Sequence, residues 1–271
     1  MSVKAMLIDV TKCIGCRSCQ VSCKSWNDLE SEQTELNINN TLTNPAQMSD
    51  KTYTIVNFVE TEKDGKPVWR FAKKMCMHCT DPACASACFA KAITKRESGA
   101  VVYEADNCVG CRYCMLACPW WIPKYEWKEV FPKIQKCRFC IDLLENGKEP
   151  ACAAACPSAI TFGDRDEMLS IAKKRIADNP GKYVNHIYGE HEVGGTNVLY
   201  LSDVPFEELG LPTLSAKALP PLTWKSLTKV PYLAGGVGVT MTALYMLTNR
   251  KNEVAKVEKE GKVVNNNGQD N

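Results

Sequence analysis

Sixteen cysteines in a chain of 271 residues fall into four short motifs, with none left over. The first motif, Cys13, Cys16, Cys19 and Cys23, has the spacing C-x2-C-x2-C-x3-C. Thiolates two residues apart can curl around one face of a cubane iron–sulfur cluster. In two-cluster ferredoxins the fourth cysteine of such a run ligates the other cluster. This motif is therefore half of a two-cluster site and requires a second half elsewhere.

Three further motifs supply it. Cys76, Cys79, Cys84 and Cys88 keep the pattern with two extra residues before the third cysteine. Cys108, Cys111, Cys114 and Cys118 repeat the first motif, C-V-G-C-R-Y-C against C-I-G-C-R-S-C, and an internal duplication explains the match most simply. Cys137, Cys140, Cys152 and Cys156 enclose an eleven-residue insertion, 141–151, expected as a loop. At four thiolates per cluster, the count matches four 4Fe–4S clusters. Structural zinc favours two separated C-x2-C pairs, and pairs this close suit metal ligation better than disulfides. With every ligand position filled, no iron is open to substrate, so electron relay is the natural role. Spacing alone allows the second motif to pair with the third, or the third with the fourth. Proline follows only Cys118 and Cys156, which mildly favours a nested scheme, first with fourth and second with third.

The remaining candidates carry less. Arg17 and Arg112 would raise cluster potentials if they pointed inward, although such residues more often form solvated surface. His78 reads as a packing or supporting residue, not a ligand, and Trp120 and Trp121 as core or interface. Gly194-Gly195 lacks the dinucleotide fingerprint and reads as a turn before a strand. No catalytic triad, Walker loop or flavin motif is present, and three histidines leave little for haem. A net charge of +2 gives no basic field for nucleic acid. The first ten residues contain neither an apolar export signal nor twin arginines, so no cleavable signal is expected.

These motifs need an α+β scaffold to position them. Residues 3–10 predict a strand leading into the first cysteine loop, and a polar stretch to about Asp50 predicts a surface loop. Residues 53–59 and 68–72 predict a hairpin turning at Asp64-Gly65, and 100–103 a further strand. Asp164 and Glu167 match a capping box for a helix to about Asp178, with Met168, Ile171, Ala172 and Ile176 at helical spacing. A strand over 197–202 and a proline-rich linker follow.

From Val230 to Leu247 the chain runs eighteen residues without a charge. As a helix this is roughly 27 Å, close to a bilayer core. Lys225, Lys229 and Trp224 before it, with Arg250 and Lys251 after it, suit a membrane span. Ala234, Gly238 and Thr242 form a small-residue stripe fit for close packing on a partner helix. Basic residues are more numerous after the span than before it, which places the tail in the cytoplasm and the cysteine-rich part outside, with a cytoplasmic location as the alternative. The tail itself is polar and charged and is expected to lose order at its end.

Taken together, the four motifs, the Gly-Gly-Thr strand and the single C-terminal anchor resemble the iron–sulfur subunits of membrane-bound molybdopterin oxidoreductases and hydrogenases. The beta subunit of respiratory formate dehydrogenase and the ferredoxin-type subunit of the hydrogenase-2 group are the nearest likenesses, over roughly residues 3–250. The resemblance implies two ferredoxin-like subdomains, one (76–118) inserted in the other (1–75 and 119–200), then a linker (201–229), a transmembrane anchor (230–248) and a polar tail (249–271). It also implies the ligand sets Cys13, Cys16, Cys19, Cys156; Cys137, Cys140, Cys152, Cys23; Cys76, Cys79, Cys84, Cys118; and Cys108, Cys111, Cys114, Cys88. The implied protein is non-catalytic. It would relay electrons between a catalytic subunit of molybdopterin, tungstopterin or nickel–iron type and a quinone-linked membrane subunit, often a cytochrome b. A soluble polyferredoxin, or a relay subunit for a sulfur or arsenic oxyanion reductase, is the alternative.

Overall fold

Five of the six residues of β1 (Lys4–Asp9) are buried. Side chains alternate along a strand, so burial of nearly all of them requires a partner on each face. β1 is the middle of a three-stranded sheet, antiparallel to β8 (Ile160–Asp164) and parallel to β9 (Val198–Leu201). Ala5, Leu7, Leu199 and Leu201 pack with Met168 and Ala172 of α6 (Arg165–Asp178). Met6, Ile8, Val198 and Tyr200 enter the main core on the other face, among Cys19, Cys23, Cys76, Cys137 and Cys152. The structure is a computed structural model and describes residues 2–34 and 42–266.

Past the first cysteine loop lies α1 (Ser18–Trp26), then a hairpin of β2 (Ile55–Lys63) and β3 (Lys66–Lys74). Its turn places Asp64 at φ +53° and Gly65 at φ +74°, the pair of positive angles that a two-residue hairpin loop favours. α2 (Ala83–Ser86), β4 (Ile93–Lys95), β5 (Val101–Tyr103) and α3 (Tyr113–Ala117) carry the second and third motifs, with β4 and β5 antiparallel. β6 (Lys124–Tyr125) and β7 (Ile134–Gln135) pair briefly before α4 (Ile141–Glu145) and α5 (Ala151–Ala154). The order strand, 3-10 turn, cysteine loop, helix occurs twice, at β1–α1 and at β5–α3. The order helix, cysteine, strand also occurs twice, at α2–β4 and at α5–β8.

Several expectations are corrected. The insertion 141–151 is not simply a loop, because Ile141 and Leu144 are buried and draw α4 into a helix. Asp164 is the N-cap of α6, yet its side chain makes no capping bond. Its Oδ1 instead accepts from Ser2 Oγ at 2.6 Å and Lys4 Nζ at 2.5 Å. The expected linker begins too early, since Val204, Phe206, Leu209 and Leu211 are buried in the main core. Met1–Pro220 and Pro221–Asn271 are two compact units. α7 (Pro220–Leu227) and α8 (Val230–Asn266) follow, so residues 249–266 of the expected tail are helical. The end of the tail lies outside the described residues.

Within α8, the stretch Val230–Glu258 is long and apolar enough to cross a membrane, and none of its most apolar window is buried. Thr240, Thr242 and Thr248 each donate a hydroxyl to the carbonyl one turn back, at 2.8, 2.8 and 2.7 Å. These hydroxyls are thereby satisfied within the helix, as a lipid environment requires.

Candidate metal centres

The first C-x2-C pair of every motif turns at its third position. Gly15 (φ +70°), His78 (φ +47°), Gly110 (φ +70°) and Phe139 (φ +60°) all lie in the left-handed region. Two of these kinked residues turn their own amides back at sulfur, and a third amide reaches sulfur after the second motif. Gly110 N–H donates to Cys108 Sγ and Phe139 N–H to Cys137 Sγ, each at 3.4 Å, and Ala92 N–H donates to Cys88 Sγ at 3.2 Å. Glycine adopts such angles freely, whereas His78 and Phe139 hold them against steric strain. A side chain at Gly15 would meet the Phe71 ring at 3.0 Å.

Cysteines from distant motifs line common cavities. Cys13, Cys16, Cys19 and Cys156 border one of about 390 Å³, mouth included. Cys23, Cys137, Cys140 and Cys152 border a second of about 320 Å³. Cys88, Cys108, Cys111 and Cys114 border a third, also of about 320 Å³. The other four are neighbours as well, since Cys76, Cys84 and Cys118 all raise the pKa of Cys79, and Cys76 and Cys118 that of Cys84. In each motif the last cysteine leaves the company of the first three. α1 shows how, because Cys19 and Cys23 lie one turn apart, roughly 6 Å along the axis, and face different cavities.

The four groups also follow one another within electrostatic range. Cys19 feels Cys152, Cys137 feels Cys76, and Cys84 feels Cys114. Among the described residues, no three ligating side chains close on a single ion. Walls of four cysteines around a cavity suit a multi-iron cluster instead, and so the residues present fit that cofactor.

Burial dominates the chemistry of these thiols. Desolvation, reinforced by neighbouring sulfurs, lifts Cys23 and Cys84 to about 12. It likewise lifts Cys114, Cys118 and Cys140 to about 11. Such thiols ionise at neutral pH only if a cation compensates, so metal binding must displace protons. Cys16, at the surface, is the opposite case. Hydrogen bonds from the Ser18 side chain and backbone lower its pKa.

His78 is fully buried. Val101 N–H donates to its Nδ1 at 3.0 Å, so the ring proton sits on Nε2, 3.5 Å from Cys137 Sγ. Burial, helped by the Lys136 charge, holds its pKa well below the usual value, which keeps the ring neutral. It thus donates a hydrogen bond to a cysteine of another motif. Arg17 and Arg112 border cavities but stack on aromatic rings, Arg17 at 4.5 Å from Phe58 and Arg112 at 5.1 Å from Trp127. Trp120 is buried with its Nε1–H bonded to Tyr188 Oη at 2.9 Å, while Trp121 is exposed.

Three features were missed in the sequence. Lys73 and Lys136 are buried, each at 2 % exposure, and lie among the cysteine groups. The Lys73 ammonium donates to the Thr54 hydroxyl; that of Lys136 donates to the carbonyls of Val101 and Cys137. The Gly-Gly-Thr segment is more than a turn. Gly195 O accepts from Thr80 N–H at 2.9 Å, and Asn197 N–H reaches Met77 O at 3.1 Å, bracing the second cysteine loop. A side chain at Gly195 would meet Arg165 at 2.9 Å and the Glu190 carbonyl at 3.0 Å. A lysine among cysteines could have been flagged from position alone, but its burial could not.

Comparison with known proteins agrees with this chemistry. Two family models described as 4Fe–4S dicluster domains match residues 12–92 and 67–165. The nitrate-inducible formate dehydrogenase iron–sulfur subunit of Escherichia coli K12 is 39% identical over 247 residues, covering 89% of this chain and 82% of the relative. The formate dehydrogenase iron–sulfur subunit of Haemophilus influenzae is 38% identical over 252 residues, covering 89% and 80%. The hydrogenase-2 operon protein HybA of Escherichia coli O157:H7 is 38% identical over 240 residues, covering 77% and 73%. The chain therefore belongs to the family of 4Fe–4S dicluster electron-transfer subunits that includes the iron–sulfur subunits of formate dehydrogenases.

Proposed function

We propose that this chain relays electrons along a line of four 4Fe–4S clusters within a membrane-anchored oxidoreductase complex. The ligand sets are Cys13, Cys16, Cys19 and Cys156; Cys23, Cys137, Cys140 and Cys152; Cys76, Cys79, Cys84 and Cys118; and Cys88, Cys108, Cys111 and Cys114. The observation that carries the reading is that cysteines of distant motifs line common cavities, four to each, with Cys19 and Cys152, Cys137 and Cys76, and Cys84 and Cys114 in electrostatic range across successive groups. Such clusters, when bound, exchange single electrons at potentials tuned by charge, hydrogen bonds to sulfur and burial. The repeated order of strand, cysteine loop and helix supports two ferredoxin-like subdomains, with 76–118 inserted between 1–75 and 119–200.

Both ends of the line lie beside exposed apolar side chains. Ile14, Val21 and Trp26 surround the first motif, and Phe89, Val109, Tyr113 and Leu116 surround the second and third. Such surfaces suit subunit contacts. One end receives a catalytic subunit, of formate dehydrogenase or hydrogenase type by similarity to the relatives, and the other a quinone-linked membrane subunit of cytochrome b type. α8 anchors the chain, and its basic C-terminal flank favours a cytoplasmic tail with the clusters in the periplasm.

Elemental analysis of the native complex, extracted in detergent through a tag on this chain, tests the reading. About sixteen irons per copy beyond those of its partners are expected. Zinc in place of iron overturns it. Accompanying molybdenum or tungsten identifies a formate dehydrogenase type of complex, and nickel a hydrogenase.

A further inference from the structure

Lys73 projects from β3 into the interior, where it borders two of the four-cysteine cavities at once. One holds Cys13, Cys16, Cys19 and Cys156, the other Cys23, Cys137, Cys140 and Cys152. Its position is fixed at both ends. The Tyr200 hydroxyl donates to its carbonyl at 2.8 Å, and its ammonium donates to the Thr54 hydroxyl. Among the described residues no carboxylate is in ion-pair range of it, although other interior charges such as Asp9 are paired. A buried ammonium without a counter-charge is strongly disfavoured. The charge available to offset it is that of the cysteine sulfurs on either side.

Lys136 forms an internal comparison. It is equally buried, and its charge reaches Cys84 and Cys118 of the third group. Among the described residues, no buried lysine borders the group of Cys88, Cys108, Cys111 and Cys114, and the cation on its rim, Arg112, is exposed and stacked on Tyr125 and Trp127.

We infer that Lys73 is a shared counter-ion that raises the reduction potential of two clusters together, with Lys136 serving the third and no buried cation serving the fourth. The inference rests on the ligand sets proposed above. A four-thiolate cluster is anionic and gains a further negative charge on reduction, so a fixed cation nearby stabilises the reduced form more than the oxidised one. Placed between two clusters, one ammonium also screens the repulsion between their added electrons. It is a positioning charge, not a ligand.

The test is potentiometric titration of the purified complex followed by electron paramagnetic resonance, with iron counted on each sample. Lys73→Met keeps the length and apolar stem and removes the charge. It is expected to move two of the four titration steps to lower potential, each by at least a tenfold change in the reduction constant, about 59 mV for one electron. Lys136→Met is expected to move one step, different from those two. Full iron with unmoved potentials in Lys73→Met overturns the inference while leaving the four-cluster reading intact; lack of iron in the unmodified complex overturns that reading first. If Lys73→Met fails to load iron, Lys73→Arg decides. Restored loading with potentials near the original supports the charge, and equal failure of both variants overturns it.

Discussion

His78 and Phe139 stack on one another, with ring centroids 4.3 Å apart and planes 22° from parallel. They occupy the same third position in two C-x2-C pairs, where the other two motifs have Gly15 and Gly110. Replacing glycine there costs backbone strain. In return, two loops that would otherwise present bare backbone acquire rings that fill the space between the second and fourth motifs. The same contact sets His78 Nε2 against Cys137 Sγ. The middle of the line of cysteine groups is thus held by side chains, and its outer loops by glycine.

Replacing His78 by Phe preserves a ring for the stack but removes both nitrogens. The Val101 amide loses its acceptor and Cys137 loses a donor. A stability loss of about 1–3 kcal/mol is expected from the orphaned amide, read as a shift in denaturant midpoint at constant slope. The cluster that Cys137 ligates should also titrate at lower potential, because a hydrogen bond to sulfur has gone.

Cys19 and Cys23 sit on the same short helix, yet their substitution by serine should damage different clusters. Cys19→Ser is expected to alter the centre completed by Cys156, and Cys23→Ser the one completed by Cys137. Mössbauer and resonance spectra of the two variants would then lose different signals. Identical spectra from both would refute the assignment of ligands.

Asp203 ties the β2–β3 hairpin to the segment after β9. It accepts from Arg70 Nε at 2.7 Å and Lys63 Nζ at 3.1 Å. Burial pushes its pKa up, but the Arg70 and Lys63 hydrogen bonds outweigh this and hold the carboxyl below its ordinary value. The folded state therefore favours the ionised form. That stabilisation is complete above the ordinary carboxylate range and fades as pH falls through the depressed pKa. Asp203→Asn should be less stable than the parent at neutral pH, and the gap should narrow under acid. A gap that stays constant with pH would locate its cause elsewhere.

For α8, Val239→Asp, at the middle of the uncharged run 230–247, is expected to oppose membrane insertion by about 3 kcal/mol. The fraction recovered with membranes, measured by flotation in detergent-free vesicles, should drop. If the chain stays bound through its complex, carbonate washing of membranes lacking the partners distinguishes anchor from docking.

Much of the site was legible because cysteine chemistry is written in spacing. C-x2-C pairs dictate tight loops, and the x3 step on a helix dictates a change of cavity, so Cys19 and Cys23 could be separated on paper. β1 was legible from its unbroken apolar run, and the β2–β3 turn from Asp64-Gly65. Contacts between remote segments were not. Nothing local in Lys73 distinguishes it from the exposed Lys66 on the same strand, since only the folded core decides which of them is buried. The capping box at Asp164 failed for the same reason, as Ser2 and Lys4 arrive from the far end of the chain. Val204, Phe206, Leu209 and Leu211 were masked by surrounding prolines and acids, a composition that reads as linker although its apolar residues belong to the core.

The position of β1 between β8 and β9 has a consequence for biosynthesis. The first cysteine loop leaves the ribosome long before either strand that holds its scaffold, and Cys13 meets Cys156 only when more than half of the chain exists. β4 and β5, by contrast, are close neighbours in the chain and can pair as soon as they emerge. The central segment can therefore bring its own strands and cysteine loops together while translation continues, whereas the first motif acquires its partner cysteine only when the chain returns to close over it.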